Sequence, residues 1–386
     1  MKTITTTEAL ADFCAECATQ PYVTVDTEFL RERTYYSQLC LVQLAYPGTD
    51  DENAVIVDPL AQGIDLAPLY ALFKNENVIK VFHAARQDLE IFCVEGDVIP
   101  KPFFDTQIAA MVCGFGEQVG YEKLVRQIVN ESVDKSSRFT DWSRRPLSDK
   151  QKTYALADVT HLRGVYEFLA NKLEKTGRTG WVEEEIAVLM DPMTYKIQPQ
   201  NAWKRLKTRT TSRRFLAIVR ELAAFRETTA QQRNVPRNRI YKDDVITELA
   251  STKPKSHEEL GRSRLLQREA RKGEVADGIL AAIITGENCS AEDLPQIPAQ
   301  RVKRNGTESL GDLLRVLLKA KAEEYSVASK LIATAADLDA LANGDDDGVA
   351  AIHGWRAEVF GHDAQRLRLG EIALSASPTG VKIIEL

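Results

Sequence analysis

Cysteine is scarce and without pattern in this chain. Cys14, Cys17, Cys40, Cys93, Cys113 and Cys289 are scattered, and several sit inside apolar runs. That excludes the disulfide framework of a small secreted domain and points to reduced, partly buried thiols of a cytoplasmic protein. Cys14-x-x-Cys17 has no second CxxC or Cys/His pair at zinc-site spacing. It falls in a helix-like stretch, Ala9 to Ala18, and reads as two neighbouring helix cysteines. No apolar run approaches the roughly 20 residues of a membrane span, so no membrane partner is expected. Met1 to Glu8 has neither the basic nor the apolar part of a signal peptide. An excess of positive charge is also missing. The net charge of −6 and pI near 5.6 have the wrong sign for a nucleic-acid binder, if the average is taken at face value.

What is present is an ordinary globular composition, 44% hydrophobic and 27% charged, over 386 residues, enough for two or three domains. Strand-like runs at Tyr22 to Phe29, Ser37 to Ala45, Ala54 to Val57 and Val78 to Phe82 are interleaved with helical patterns. These fall at Leu66 to Phe73, after Phe82 through Phe92, and at Thr106 to Val112, Glu122 to Asn130 and Lys150 to Lys175. Such an order implies an α/β domain with a mixed sheet over residues 1–200. Ser148 with Gln151 forms a capping-box pattern before the last helix, and Gly177 closes it. After Pro192 almost no strand pattern remains. Arg213 to Arg233, Asp244 to Ala250 and Val275 to Thr285 read as helices, and a second helical group starts at Ser309. Asp345-Asp346-Asp347, flanked by glycines, lacks EF-hand spacing and reads as a solvated loop.

Three short acidic pieces carry the chemistry. In a strand, Asp26 and Glu28 project to one face, where two bare carboxylates repel unless a cation joins them. Asp88 stands in the first part of a helix after a strand, where α/β sheets place their ligands. Tyr154 and Asp158, four apart on the long helix, share a face. Each piece alone is weak: an exposed strand end, a dipole-favoured first-turn Asp, a surface pair. In this order within one domain they resemble the DEDD exonuclease superfamily, with its DnaQ/ribonuclease H-like fold. The tyrosine four before the last Asp matches the tyrosine-type branch, since Thr153 stands where the other branch needs histidine.

The flanking blocks narrow the match. Val25-Asp26-Thr27-Glu28-Phe29 leads into Arg33-Thr34-Tyr35-Tyr36 and Gln38-Leu39-Cys40-Leu41-Val42-Gln43-Leu44. Asp134-Lys135-Ser136 leads to Asp141-Trp142 and Arg145-Pro146-Leu147-Ser148. Both blocks resemble the bacterial ribonuclease D family. That resemblance implies a 3′-to-5′ exoribonuclease holding two divalent cations, Mg²⁺ or Mn²⁺, about 3.5–4 Å apart. It implies Asp26 bridging both ions, Glu28 and Asp158 completing the site that activates water, and Asp88 serving the second ion. Tyr154, with an ordinary phenol pKa of about 10, is expected to aim the attacking water rather than deprotonate it. The resemblance also places Gln118, Tyr121, Lys135 and Trp142 around the terminal nucleotides. Phe29, Leu30 and His83 are candidates beside them from their position next to the acids, with core packing the default for Phe29. For His83 a packed, hydrogen-bonded ring is the equal alternative. His161, one turn beyond Asp158, reads as structural.

From Trp203 to Lys242 there is a net excess of ten positive charges, starting at a domain boundary. Lys204, Arg205, Lys207, Arg209, Arg213 and Arg214 lead it, and phosphate contact is the expectation. Leu222 to Arg226, Val235-Pro236, Ile240 and Asp244 to Leu249 in this region resemble an HRDC domain. So residues 208–290 and 300–386 are expected to be two all-α HRDC-like domains, the second divergent. The implied substrate is RNA with a 3′ end, tRNA precursors above all, acted on by a monomer without an obligate protein partner. A DNA exonuclease of the same superfamily shares every catalytic residue. A non-catalytic RNA-binding protein is the third reading, and the full set of carboxylates stands against it.

Overall fold

The computed structural model describes residues 2–49, 51–134, 136–137, 140–208, 210, 212–296 and 306–386. Six strands form one mixed sheet in the order β1-β4-β3-β2-β5-β6. They are β1 (Lys2–Ile4), β2 (Tyr22–Leu30), β3 (Gln38–Ala45), β4 (Ala54–Val57), β5 (Ile79–Phe82) and β6 (Phe103–Asp105). β3 runs antiparallel to β2 and β4, and the remaining neighbours are parallel.

The period-2 alternation of the strands divides the core. Val23, Val25, Val42, Leu44, Val55 and Val57 share a core with α1 (Thr7–Cys17), α2 (Ala67–Lys74) and α3 (Arg86–Glu95). Thr6 caps α1, whose buried residues Leu10, Phe13, Cys14 and Cys17 recur at helical spacing, so the CxxC pair is core. The alternate residues Leu41, Ala45, Ala54 and Ile56 pack against Ala155, Leu156 and Val159 of a long helix. Burying each such branched side chain contributes about 1.5–3 kcal/mol. Between these helices come α4 (Thr106–Val112), capped by Asp105, and the short α5 (Tyr121–Leu124), which continues as a π turn over Val125–Val129. The long helix, α6 (Asp149–Thr176), starts on the expected box: Ser148 Oγ accepts from Gln151 N at 3.3 Å, and Gln151 Oε1 accepts from Ser148 N at 3.0 Å. Gly177 stops it in the left-handed conformation. α7 (Thr179–Ala187) follows.

A second core lies between residues 202 and 283. It comprises α8 (Arg213–Gln232), α9 (Arg237–Ile240), α10 (Asp243–Thr252), α11 (His257–Gly261) and α12 (Gly273–Glu287). A third lies between 314 and 372, from α13 (Thr307–Tyr325), α14 (Ser329–Ile332), α15 (Ala335–Asn343), α16 (Gly354–Arg356) and α17 (His362–Leu369). The all-helical expectation needs correction at its end, where β7 (Ile372–Ser377) and β8 (Gly380–Glu385) form an antiparallel hairpin. Gly370 breaks α17 with a φ of 77°, and the β-branched run Val381, Ile383, Ile384 favours strand.

Both helical units dock on the sheet domain. Tyr35, in the segment after β2, packs against the second core and bonds Glu227 of α8, while its backbone N–H and that of Tyr36 each donate to Asn234 Oδ1 at 3.1 Å. On the other side Trp181 of α7 stacks on Trp355, centroids 4.4 Å apart.

Candidate active site

β2 presents Thr24, Asp26 and Glu28 to α6. Thr24 Oγ1 lies 2.9 Å from both Ala45 O and Val159 O, which ties strand to helix one residue past Asp158. The strand and the helix thereby bring Asp26, Glu28 and Asp158 together, with one carboxylate oxygen from each all within 4.8 Å of one another. A register irregularity between Glu28 and Phe29 re-aims the end of β2, so that Phe29 and Leu30 line the same cavity as the acids. That cavity, about 730 Å³, is also lined by His83, Tyr121, Trp142 and Tyr154.

Asp88 sits in the first turn of α3, buried, and its carboxylate takes a hydrogen bond from Thr27 Oγ1 on the opposite face of β2. Burial and then the Asp26 charge raise its carboxyl, and it helps in turn to raise Glu28, yet it is not one of the three clustered acids. The turn before α3 is held by Asp105, whose carboxylate accepts from Ala84 N at 3.1 Å and Ala85 N at 2.9 Å and so stabilises Ala84 at a φ of 58°. In the same turn, His83 Nδ1 lies 2.9 Å from Thr106 Oγ1, and that hydroxyl donates to Phe82 O. Nδ1 therefore carries the proton and Nε2 is left as an acceptor. Burial lowers the imidazole pKa against the opposing pull of Asp105, so the ring is neutral at pH 7.

Crowding shapes the electrostatics. Burial first, then the Asp158 charge, raises the Asp26 carboxyl. Burial, with Asp26, Asp158 and Asp88 behind it, pushes Glu28 up to about 10. Burial raises Asp158 to about 7, against the hydrogen bond from Tyr154. The Tyr154 phenol is raised above its usual range by burial and then by Asp158. Such mutual repulsion is relieved by a cation, and every donor in the cluster is a carboxylate oxygen, the ligand that Mg²⁺ and Mn²⁺ take.

Comparison with known proteins agrees with this geometry. A 3′-5′ exonuclease family profile matches residues 1–174, and an HRDC domain profile matches residues 215–283. Ribonuclease D of Jannaschia sp. is 63% identical over 384 residues, covering 100% of this chain and 99% of the relative. Ribonuclease D of Granulibacter bethesdensis is 49% identical, covering 99% and 96%. The chain belongs to the ribonuclease D family. The crystal structure of Escherichia coli RNase D, an exoribonuclease involved in structured RNA processing, superposes with a TM-score of 0.81 at 29% identity, covering 96% of this chain and 98% of that one. This family member is a metal-dependent 3′-to-5′ exoribonuclease. No helix among the described residues is long and apolar enough to cross a membrane.

The expected nucleotide-contacting residues divide. Phe29, Leu30, His83, Tyr121 and Trp142 line the cavity. Tyr121 Oη donates to Ala157 O at 2.9 Å, and the Trp142 ring lies over Tyr154, centroids 6.0 Å apart. Gln118 does not reach the cavity: it occupies an exposed left-handed turn with a φ of 45°. Lys135 lies outside the described residues, and His161 is half-buried on α6 outside the cavity lining. Gln107 and Lys123 line the cavity and belong to no motif that singles them out. Arg145, which the flanking block contains but to which it gives no role, pins the loop bearing Trp142 by donating to Asp58 Oδ1 and Oδ2 at 2.6 Å each, Trp142 O at 2.7 Å and Cys40 O at 2.8 Å.

Part of the basic stretch is engaged within its own domain. Arg214 donates to Glu287 O, in the last turn of α12, where helical carbonyls lack partners, and to Cys289 O just beyond it, while Arg213 donates to Leu294 O and Pro295 O in the segment that follows. Arg220 pairs with Glu221, Arg226 with Asp243 and Arg233 with Glu274. Lys204, Arg205 and Lys207 stay exposed, and Arg209 lies outside the described residues.

Proposed function

We propose that this member of the ribonuclease D family trims the 3′ ends of structured RNA, tRNA precursors above all, releasing nucleoside 5′-monophosphates one at a time. The observation that carries the assignment of roles is the meeting of Asp26, Glu28 and Asp158 with Tyr154 at the head of one cavity. Asp26, Glu28 and Asp158 would hold divalent cations, Mg²⁺ or Mn²⁺, with Asp88 behind them serving the second. When bound, such ions activate the attacking water and neutralise charge on the departing 3′ oxygen.

The chain's own groups do the rest. Tyr154 keeps its proton at neutral pH, because burial and the neighbouring acids hold the phenol up. It therefore aims the water by hydrogen bonding rather than removing a proton from it. His83, neutral with Nε2 as acceptor, suits a ribose hydroxyl rather than a phosphate. Phe29, Leu30, Tyr121 and Trp142 supply apolar surface for the terminal bases, and Lys123 and Lys135 supply charge for the backbone. Lys204, Arg205, Lys207 and Arg209 would extend the phosphate track beyond the exonuclease domain (1–200) along the HRDC domain (208–290). We read 300–386 as a second, divergent HRDC-like unit that ends in a hairpin, and the whole as a cytoplasmic monomer.

The test is digestion of a 3′-labelled tRNA precursor with Mg²⁺, with Mn²⁺ and with chelator, beside a DNA strand of the same sequence. Release of the terminal label as nucleoside 5′-monophosphate from RNA with either metal is expected. Intact RNA ends with both metals, or preference for the DNA, would overturn the reading.

A further inference from the structure

Gln43 lies directly opposite Asp26 in the β2–β3 register and opposite Ile56 on β4. Residues paired this way point to the same face of a sheet, with Cβ atoms about 4.5–5.5 Å apart. The Gln43 side chain thus enters the layer between sheet and α6, beside the Asp26 carboxylate. It is fully buried, and neither Nε2 nor Oε1 has a hydrogen-bond partner. The side chains around it, Leu41, Ala45, Ile56, Ala155, Leu156 and Val159, form an apolar core.

A carboxamide in such a layer lowers stability unless its polar atoms are used. A methionine or leucine would fill comparable space without that cost. The polar side chain in its own row is Asp26, whose hydrogen bond comes from the Thr27 backbone, and a carboxylate has room for further donors.

We propose that Gln43 is a positioning residue for the cation site: its Nε2–H group, unpartnered as the protein stands here, turns to the Asp26 carboxylate when cations bind, so that the remaining lone pairs face them. The inference rests on Asp26 being a cation ligand, as assigned above. Groups that orient a metal-binding side chain in this way change affinity or activity by about 10–100-fold when removed.

Gln43→Met and Gln43→Leu in the full chain separate this from a role in folding. Three readouts are needed: the melting temperature without divalent cation, Mn²⁺ affinity by titration calorimetry, and exonuclease turnover at saturating Mn²⁺. Both variants are expected to melt at or above the temperature of the unsubstituted protein, while Mn²⁺ binding weakens about 10–100-fold. Turnover should fall as well. Unchanged Mn²⁺ affinity in both would overturn the proposal. So would a lower melting temperature in both, because the amide would then serve the fold. Asp26→Asn is the reference: if it binds Mn²⁺ as the unsubstituted chain does, the ligand assignment itself is wrong; if it loses Mn²⁺ while the Gln43 variants keep it, only the present inference fails.

Discussion

The acidic cavity and the basic stretch entering the HRDC domain behave in opposite ways. Asp26, Glu28 and Asp158 are dispersed along the chain, yet β2 and α6 force them within a few ångströms of one another. The arginines from 213 to 233 are dense along the chain, yet folding scatters them onto carbonyls and acids of their own domain. Charge crowded against its own interest in space marks a ligand site. Charge crowded along the sequence does not, until the fold has taken its share.

Substitutions on the two sides test that contrast. Asp158→Asn should abolish turnover, by about a thousandfold or more, because several kcal/mol of transition-state stabilisation is lost with the ligand. Single-turnover assays at saturating Mg²⁺ would show it. Tyr154→Phe should leave a measurable remnant, about a hundredfold below the unsubstituted chain, as for loss of one positioned proton-handling group. Equal residual rates in the two variants would erase the division between ligand and positioning group.

Without divalent cation the acidic cluster should make the fold pH-sensitive. Burial, with repulsion from neighbouring acids, raises Glu28 to about 10, and burial raises Asp158 to about 7. The folded chain therefore keeps protons that the unfolded chain releases near a pKa of about 4. Stability is then greatest below that value and falls as pH rises through the folded values. Calorimetric melting temperatures in chelator should drop between pH 5 and pH 9, and saturating Mg²⁺ should flatten the profile. A flat profile in chelator would mean that neither burial nor repulsion raises these carboxyls.

The basic side of the contrast predicts smaller effects. Neutralising Lys204, Arg205 and Lys207 together should lower the slope of log affinity against log salt for single-stranded RNA by about 2, measured with an inactive Asp158→Asn background. Arg214→Gln should leave that slope alone and cost about 1 kcal/mol of stability, the worth of its carbonyl hydrogen bonds. A steeper loss of RNA binding from Arg214→Gln than from the lysine set would reverse the assignment.

Much of the fold and of the acidic site is legible in the sequence itself. Hydrophobic alternation marks the strands, the Ser148/Gln151 box and Gly177 bound α6, and period arguments put Asp26 with Glu28 and Tyr154 with Asp158. What is not legible depends on tertiary placement. Asp88 fits its expected position on α3, but the Thr27 hydroxyl that holds it comes from another element. Gln118 stands near cavity residues in sequence, and a left-handed turn carries it away. Asp346 reads as one of three solvated acids, but accepts from Arg368 Nη2 at 2.9 Å on α17. The terminal hairpin is visible only in a short β-branched run that a helical context obscures.

Tyr35 belongs by sequence to the nuclease half, yet its ring is housed by the other half, and Asn234 holds the two peptide N–H groups beside it. The stretch leaving the acidic strand is thus moored to a neighbour. Cutting the chain near residue 207 to obtain a minimal nuclease would strip the berth from that ring and leave those donors to water. The HRDC unit is in this sense scaffolding for the segment that leaves β2, whatever it does for RNA.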